Sequence, residues 1–151
     1  MSDAGVTIRR AVLRDVEALV PLFDSYRQFY GQSSNPELAR KFLSERLERG
    51  ESTVFIAEDG RRAVGFAQSF PMFSSVSAAR IYVLNDLLVA TEARRRGVGQ
   101  ALLAASLEFA RAVGAVRVTL STSVTNAPAQ SLYEATGWVK DTDYYVYEQR
   151  L

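Results

Sequence analysis

One stretch constrains this chain more than any other: VLNDLLVATEARRRGVGQALL, Val83 to Leu103, where an apolar strand gives way to an arginine-rich turn with two glycines and then to a helix. The turn Arg94-Arg95-Arg96-Gly97-Val98-Gly99 offers backbone N–H groups with no Cβ in the way at Gly97 and Gly99. The helix after it directs the positive end of its dipole at the same point, and three arginines add fixed positive charge. Such a strand, turn and helix unit suits a pyrophosphate.

Composition narrows what chemistry could accompany that anion site. The chain has no histidine and no cysteine, which removes an imidazole base, a thiolate nucleophile and the usual nitrogen or sulfur metal ligands. No metal is therefore expected. Lysine occurs only at Lys41 and Lys140, so a Schiff-base lysine is also disfavoured. Acid and base must come from Tyr, Asp or Glu, or travel through water, which favours a reaction in which the substrate brings the nucleophile and the enzyme orients it.

The 151 residues, 48% of them hydrophobic, fit a single domain spanning 1–151. Eighteen basic against 17 acidic residues give a net charge of +1, which speaks against a nucleic-acid partner. No apolar run reaches membrane-spanning length and the start MSDAGVTIRR lacks a signal-peptide core, so no membrane partner is expected and the location expected is cytoplasmic. Absence of cysteine agrees with a reducing compartment.

Along the chain, Val6 to Arg9 reads as a short strand, and Asp15 as the cap of a helix that buries Val16, Leu19, Val20, Leu22, Phe23 and Tyr26, with Pro21 a candidate kink. Asn35 caps a second helix with Pro36 at its first position and Leu38, Phe42, Leu43 and Leu47 as its apolar stripe, ending before Gly50. Thr53 to Ala57 and Ala63 to Phe70 form a hairpin about Asp59-Gly60, and Pro71 to Ser77 reads as a loop. Ala79 to Val89 is a long strand, apolar on both faces except Asn85 and Asp86. A helix follows from about Gly97 to Val113, then a strand from Val116 to Ser121, then a helix from the Asn126 cap through Thr136. Trp138 to Lys140 and Tyr144 to Gln149 read as two closing strands. The expected fold class is α/β of mixed α+β character: a sheet of about seven strands with helices on both faces, in the order β-α-α-β-β-β-α-β-α-β-β.

A glycine pair before a helix is a weak signal alone, so its competitors matter. A dinucleotide fingerprint wants a small residue where Leu102 stands and an acidic residue on the next strand, yet no Asp or Glu occurs between Glu108 and Glu134. A P-loop wants Gly-Lys and then Ser or Thr, whereas Gly99 is followed by Gln100-Ala101. Neither fits.

The stretch from Leu84 to Gln100, with Asn126 and Leu132-Tyr133-Glu134 downstream, resembles the GNAT superfamily of acyl-coenzyme A-dependent N-acetyltransferases. Arg94-x-x-Gly97-x-Gly99 matches the family's pyrophosphate signature of Gln or Arg, two residues, Gly, one residue, then Gly or Ala. The resemblance implies a GNAT-like fold, acetyl-CoA as cosubstrate and a pyrophosphate held by the backbone of Arg94, Arg95, Arg96, Gly97, Val98, Gly99 and Gln100. It further implies that Leu87, Leu88 and Val89 pair with the pantetheine arm as an added strand, with a bulge splaying their strand from its neighbour. Asn126 would approach that arm, or serve as a helix cap, and Ala129 is small where the coenzyme would pass. Tyr133 matches the tyrosine that protonates the departing thiolate. A phenol with an ordinary pKa of about 10 keeps its proton until a thiolate of similar basicity needs it; packing in a helix is the other role open to it. Asp86 is the candidate base, acting through water with Asn85 as the orienting amide, and a purely structural Asp86 is the alternative.

In outline the chain is also similar to the diamine and polyamine acetyltransferases and to the small histone or polyamine acetyltransferases of yeast type, although the diamine group carries Glu-Asp where this chain has Asn85-Asp86. A primary amine of a small molecule, polyamine or lysine-like, is the expected acceptor. Its cleft would be walled by Phe29, Tyr30, Phe70, Phe73 and Tyr82, placed by topology alone. A protein or peptide amino group, or a non-catalytic CoA-binding module, is the alternative. A homodimer through the last two strands is expected by family analogy.

Overall fold

The computed structural model describes residues 5–151 and falls into two compact units, 1–120 and 121–151. In the first unit, one sheet carries five strands in the order β1-β2-β3-β4-β5: β1 (Val6–Arg10), β2 (Thr53–Asp59), β3 (Arg62–Ser74), β4 (Ala79–Val89) and β5 (Val118–Thr119). The first four pair antiparallel and β5 joins β4 in parallel, so the sheet is mixed. Parallel neighbours need a crossover, and α3 (Val98–Ala112) supplies it.

Helices cover both faces. Against one lie α1 (Val16–Phe29) and α2 (Pro36–Glu48), whose Leu19, Val20, Phe23 and Leu43 pack with Val54, Ile56 and Phe66 of the sheet. Against the other lies α3, whose Val98 and Leu102 pack with Val6, Ala57, Val64 and Ala67. The second unit holds α4 (Ala127–Ala135).

Several expectations are corrected. Among the described residues the sheet has five strands rather than about seven. The closing β-β is missing, because residues 136–151 carry no strand and Tyr144, Tyr145, Val146 and Tyr147 are all at least 80% exposed. Their adjacency gives no alternation that would bury one face, and a lone hairpin has little stability of its own. The strand expected over Val116 to Ser121 is the two-residue β5. Pro71 to Ser77, expected as a loop, is strand as far as Ser74. Pro71 is tolerated because β2 stops pairing at Ser69, and the Tyr82 N–H bonds Arg117 rather than β3, so Pro71 has its missing donor on the vacant edge. Asp15 precedes α1 but does not cap it: its carboxylate accepts from the Val12 N–H at 2.7 Å and pairs with Arg9 at 2.8 Å. Leu38 lies outside the α2 stripe at 45% exposure, where Ala39 and Leu43 take the buried positions. Helix α1 continues through Pro21.

Asn35 and Asn126 cap α2 and α4 as the sequence suggests, accepting from Leu38 N–H at 3.1 Å and Ala129 N–H at 3.2 Å. Gly65 is required for another reason. A Cβ there would stand 2.9 Å from the Leu88 carbonyl and 3.4 Å from Leu102 Cδ1. Gly65→Ala is expected to destabilise the protein by about 1–3 kcal/mol through overpacking, read as a lower midpoint in urea unfolding.

Candidate active site

The site begins with a counting irregularity in β4. Gln68 of β3 pairs with Asp86, but the next residue, Ser69, pairs with Leu84, so Asn85 is an extra residue, a β-bulge. Side chains alternate along a strand, and one extra residue reverses the alternation. Before the bulge, Tyr82 points at α3, its ring 5.7 Å from Phe109. Beyond it, Leu88 packs with the α1 and α2 core, while Leu87 and Val89 pack with the α3 core. Asp86 thus reaches the α1 side.

There Asp86 is 2% exposed. Gln68 Nε2, from β3, donates to its Oδ2, and Asn85 Nδ2 donates to its Oδ1 at 2.9 Å. The Tyr26 hydroxyl of α1 donates to the Asn85 carbonyl at 2.8 Å. Burial pushes the Asp86 carboxyl above the ordinary carboxylate range, while hydrogen bonds from Asn85, Gln68 and Tyr26 pull it back. Asn85 itself is exposed, which gives the pair a wet end and a dry end.

The bulge also sets backbone directions. Ala90 N–H bonds the Val64 carbonyl at 2.8 Å, and antiparallel alternation then turns Leu88 toward β3 and turns Leu87 and Val89 the other way. On that side β5 pairs only with Tyr82 and Val83. Leu87 and Val89 accordingly present backbone groups beyond the end of β5, and Val89 already accepts from Arg94 Nε at 3.1 Å. Of the three residues expected to meet an added strand, Leu88 commits its backbone to Phe66 instead.

The turn after β4 has the conformation an anion needs. Arg95 and Gly97 are both left-handed, with φ of 65° and 74°, an uncommon state for arginine. Gly97 opens α3 without any side-chain cap, and the first helical bond runs from Ala101 N–H to the Gly97 carbonyl at 3.0 Å. The N–H groups of Val98, Gly99 and Gln100 therefore have no acceptor within the helix. They and the left-handed turn form a cradle of donors at the positive end of the helix dipole. The arginine side chains divide. Arg96 pairs with Asp59 at 3.1 Å, tying the turn to the β2–β3 hairpin; Arg94 reaches Val89; Arg95 is exposed.

Among the expected acceptor-site residues, Phe29 and Tyr30 are 69% and 52% exposed at the end of α1, their rings 5.1 Å apart. Tyr30 lies 5.0 Å from Tyr26, so an aromatic surface runs from the exposed end of α1 to the residue that touches Asn85. Phe70 stacks edge-on to Phe42 at 6.4 Å, and Phe73 lies under the Arg80 guanidinium at 4.9 Å. Tyr82 and Phe73 are corrections: Tyr82 is buried against α3 on the face opposite Asp86, and Phe73, paired with Arg80 two residues before Tyr82, lies on that same face while Phe70 lies on the other. In the second unit, Tyr133 is half-buried on α4 with its ring 6.1 Å from Trp138, and Asn126 spends its side-chain oxygen on the cap beside Ala129. Sequence reasoning missed Gln68 and Tyr26. Gln68 was visible as a polar residue within the apolar run Val64 to Phe70, opposite the polar pair of the next strand.

The model of the Acetyltransferase (GNAT) family matches residues 19–138. The chain belongs to the GNAT family of acetyltransferases. It is 46% identical over 142 residues to the uncharacterized N-acetyltransferase YhfO of Bacillus subtilis (strain 168), covering 94% of this chain and 95% of that one. The crystal structure of a probable acetyltransferase superposes with a TM-score of 0.89 at 44% identity, over 96% of this chain and 97% of the other. An aminoglycoside N-acetyltransferase in complex with CoA shares the fold at 22% identity, with a TM-score of 0.78 over 97% and 95% of the two chains. The protein is an acyltransferase, and acetyl-CoA is the acyl donor GNAT enzymes use. Its residues fit that donor: an uncapped helix start behind a left-handed turn, and a strand edge at Leu87 and Val89 that β5 does not pair with.

Two outcomes follow from this geometry. Gly99→Glu places a bulky carboxylate among the donors and should abolish acetyl-CoA binding in calorimetry while circular dichroism stays that of the parent. Because the folded carboxyl of Asp86 is raised above its unfolded value, its contribution to stability is full below the unfolded pKa and is lost as pH rises through the folded one. Asp86→Asn should therefore gain stability relative to the parent as unfolding is measured at increasing pH.

Proposed function

We propose that this GNAT enzyme moves the acetyl group of acetyl-CoA directly to a primary amine of a small molecule, polyamine or lysine-like, within a ternary complex. The observation that carries the reading is the carboxyl of Asp86, fixed by two amide donors at the β4 bulge, one residue before the open strand edge at Leu87. An amine acceptor arrives as an ammonium and must lose a proton before it attacks. Asp86 receives that proton through water, with Asn85 at the exposed end orienting the relay. The aromatic surface of Tyr26, Phe29 and Tyr30, with Phe70 as a further wall, suits an alkyl chain ending in a cation.

The donor supplies an activated acyl carbonyl. Backbone groups of Leu87 and Val89 bind its amide-containing arm, and the N–H groups from Arg94 to Gln100 bind its pyrophosphate. The new C–N bond forms as the C–S bond breaks; Tyr133, assigned as the acid by its match to the family's tyrosine, gives its phenol proton to the departing sulfur and regains one as the acylated nitrogen sheds its second proton through water. The enzyme is proposed to be cytoplasmic and a homodimer, supported for the dimer by exposed Tyr144, Tyr145 and Tyr147; a monomer mass in light scattering would remove it.

An amine screen with free-thiol detection tests the reading, using pools of polyamines, amino acids, aminoglycosides and lysine-containing peptides. Turnover is expected with polyamines or lysine-like amines; turnover only with peptides would move the acceptor to protein amino groups. Tyr133→Phe should leave acetyl-CoA affinity intact and lower kcat by roughly ten- to a thousandfold. An unchanged kcat would return Tyr133 to packing.

A further inference from the structure

Gln68 is 0% exposed in the middle of β3, between Ala67 and Ser69, in a strand otherwise lined by Val64, Phe66 and Phe70. Its Nε2 is spent on Asp86, and its Oε1 is buried without a partner. A buried acceptor left without a donor keeps its full desolvation penalty, which a leucine at this position would not carry. The core does not need an amide here. The carboxylate does: Asn85 donates to Oδ1 and Gln68 to Oδ2, so the two amide donors come from two different strands.

The two donors differ. Asn85 belongs to the bulge and is exposed, so it can turn toward a ligand or water; Gln68 is locked in the sheet directly across from Asp86. The groups that face Asp86 are Gln68 from β3, Asn85 from its own strand and the Tyr26 hydroxyl from α1. None of these is a cation; amide and hydroxyl dipoles support the negative charge.

We propose that Gln68 is a positioning residue of the acetyl transfer: its buried carboxamide fixes the Asp86 carboxylate at the bulge and holds it in the ionised form that receives the acceptor's proton. This rests on the reading of Asp86 as the base. A carboxylate deprived of a donor inside the sheet is protonated more readily, because burial then acts with less opposition. Loss of Gln68 would leave the chemistry intact wherever Asp86 is ionised and remove it earlier as the pH falls.

The experiment is a pair of pH series on full-length Gln68→Leu, with Gln68→Met as the second variant should the first fold poorly. One series follows kcat/KM with the amine that gives turnover. The other follows the Asp86 carboxyl by 13C NMR in aspartate-labelled protein, assigned by its absence in Asp86→Asn. In Gln68→Leu the Asp86 titration is expected to move upward. With it, kcat/KM on the acid limb should fall roughly tenfold below the parent while the alkaline plateau stays within about threefold, as loss of a hydrogen bond to a charged group would give. KM for acetyl-CoA should not change. A titration or an acid limb that stays at the parent position in a folded variant overturns the proposal. Asp86→Asn separates the two readings: if it retains parental kcat/KM across the pH range, the base assignment itself falls, whereas an inactive Asp86→Asn beside an unmoved Gln68→Leu removes only Gln68.

Discussion

The site depends on one surplus residue in a strand. Without Asn85 as a bulge, the alternation that points Tyr82 at α3 would carry Asp86 and Leu88 to that same face, into the packing of Val98 and Leu102. With it, the second half of β4 is turned over. Asp86 goes under α1, where Tyr26 and Gln68 meet it, and Leu87 and Val89 send side chains to the α3 core and backbone groups past the end of β5. One register shift therefore sets both the carboxylate and the open edge.

The end of β4 and the start of α3 form the second half of that arrangement. A strand that ends in a left-handed turn and re-enters as an uncapped helix keeps its donors for a ligand. The surrounding ion pair, Arg96 with Asp59, holds the turn in place and does not compete for those N–H groups. The positive φ of Arg95 is consistent with this, since a strained non-glycine residue persists only where its neighbours fix it. Gly65 closes the arrangement from beneath, allowing Leu102 and the Leu88 carbonyl to approach β3.

How legible all this was in the sequence varied with the range of the interaction. Local signals carried well: the Asn35-Pro36 and Asn126 helix starts, the Asp59-Gly60 turn and the Arg94 to Gly99 turn all lie where the residues place them, because each is decided within a few neighbours. Asp15 misled because its side chain has a competing partner in Arg9, six positions earlier, which no capping rule weighs. Pro71 misled because its tolerance in β3 depends on where β2 stops, a fact of sheet topology. Tyr82 misled for a similar reason: a bulge three residues later decides which face its strand neighbours share with it. The closing strands misled because four adjacent large side chains satisfy β propensity without the alternation that register needs.

On the proposed reading of Asp86 as the base for an ammonium acceptor, the absence of histidine bears on why a buried aspartate should sit at the bulge. A base with an ordinary carboxylate pKa is a poor acceptor for an ammonium proton, since it is too acidic to hold it. Burial raises Asp86 toward usefulness, but burial alone would go too far and leave a neutral acid with no affinity for a cation. Two amide donors and a nearby hydroxyl correct it without introducing a positive charge, which would repel the ammonium. An arginine in the place of Gln68 would ionise Asp86 fully and weaken it as a base; a leucine would leave burial too little opposed. The neutral amide lies between these limits. The unpartnered Oε1 is then the structural cost of using a side chain that donates from one end while its other end has nothing to accept from.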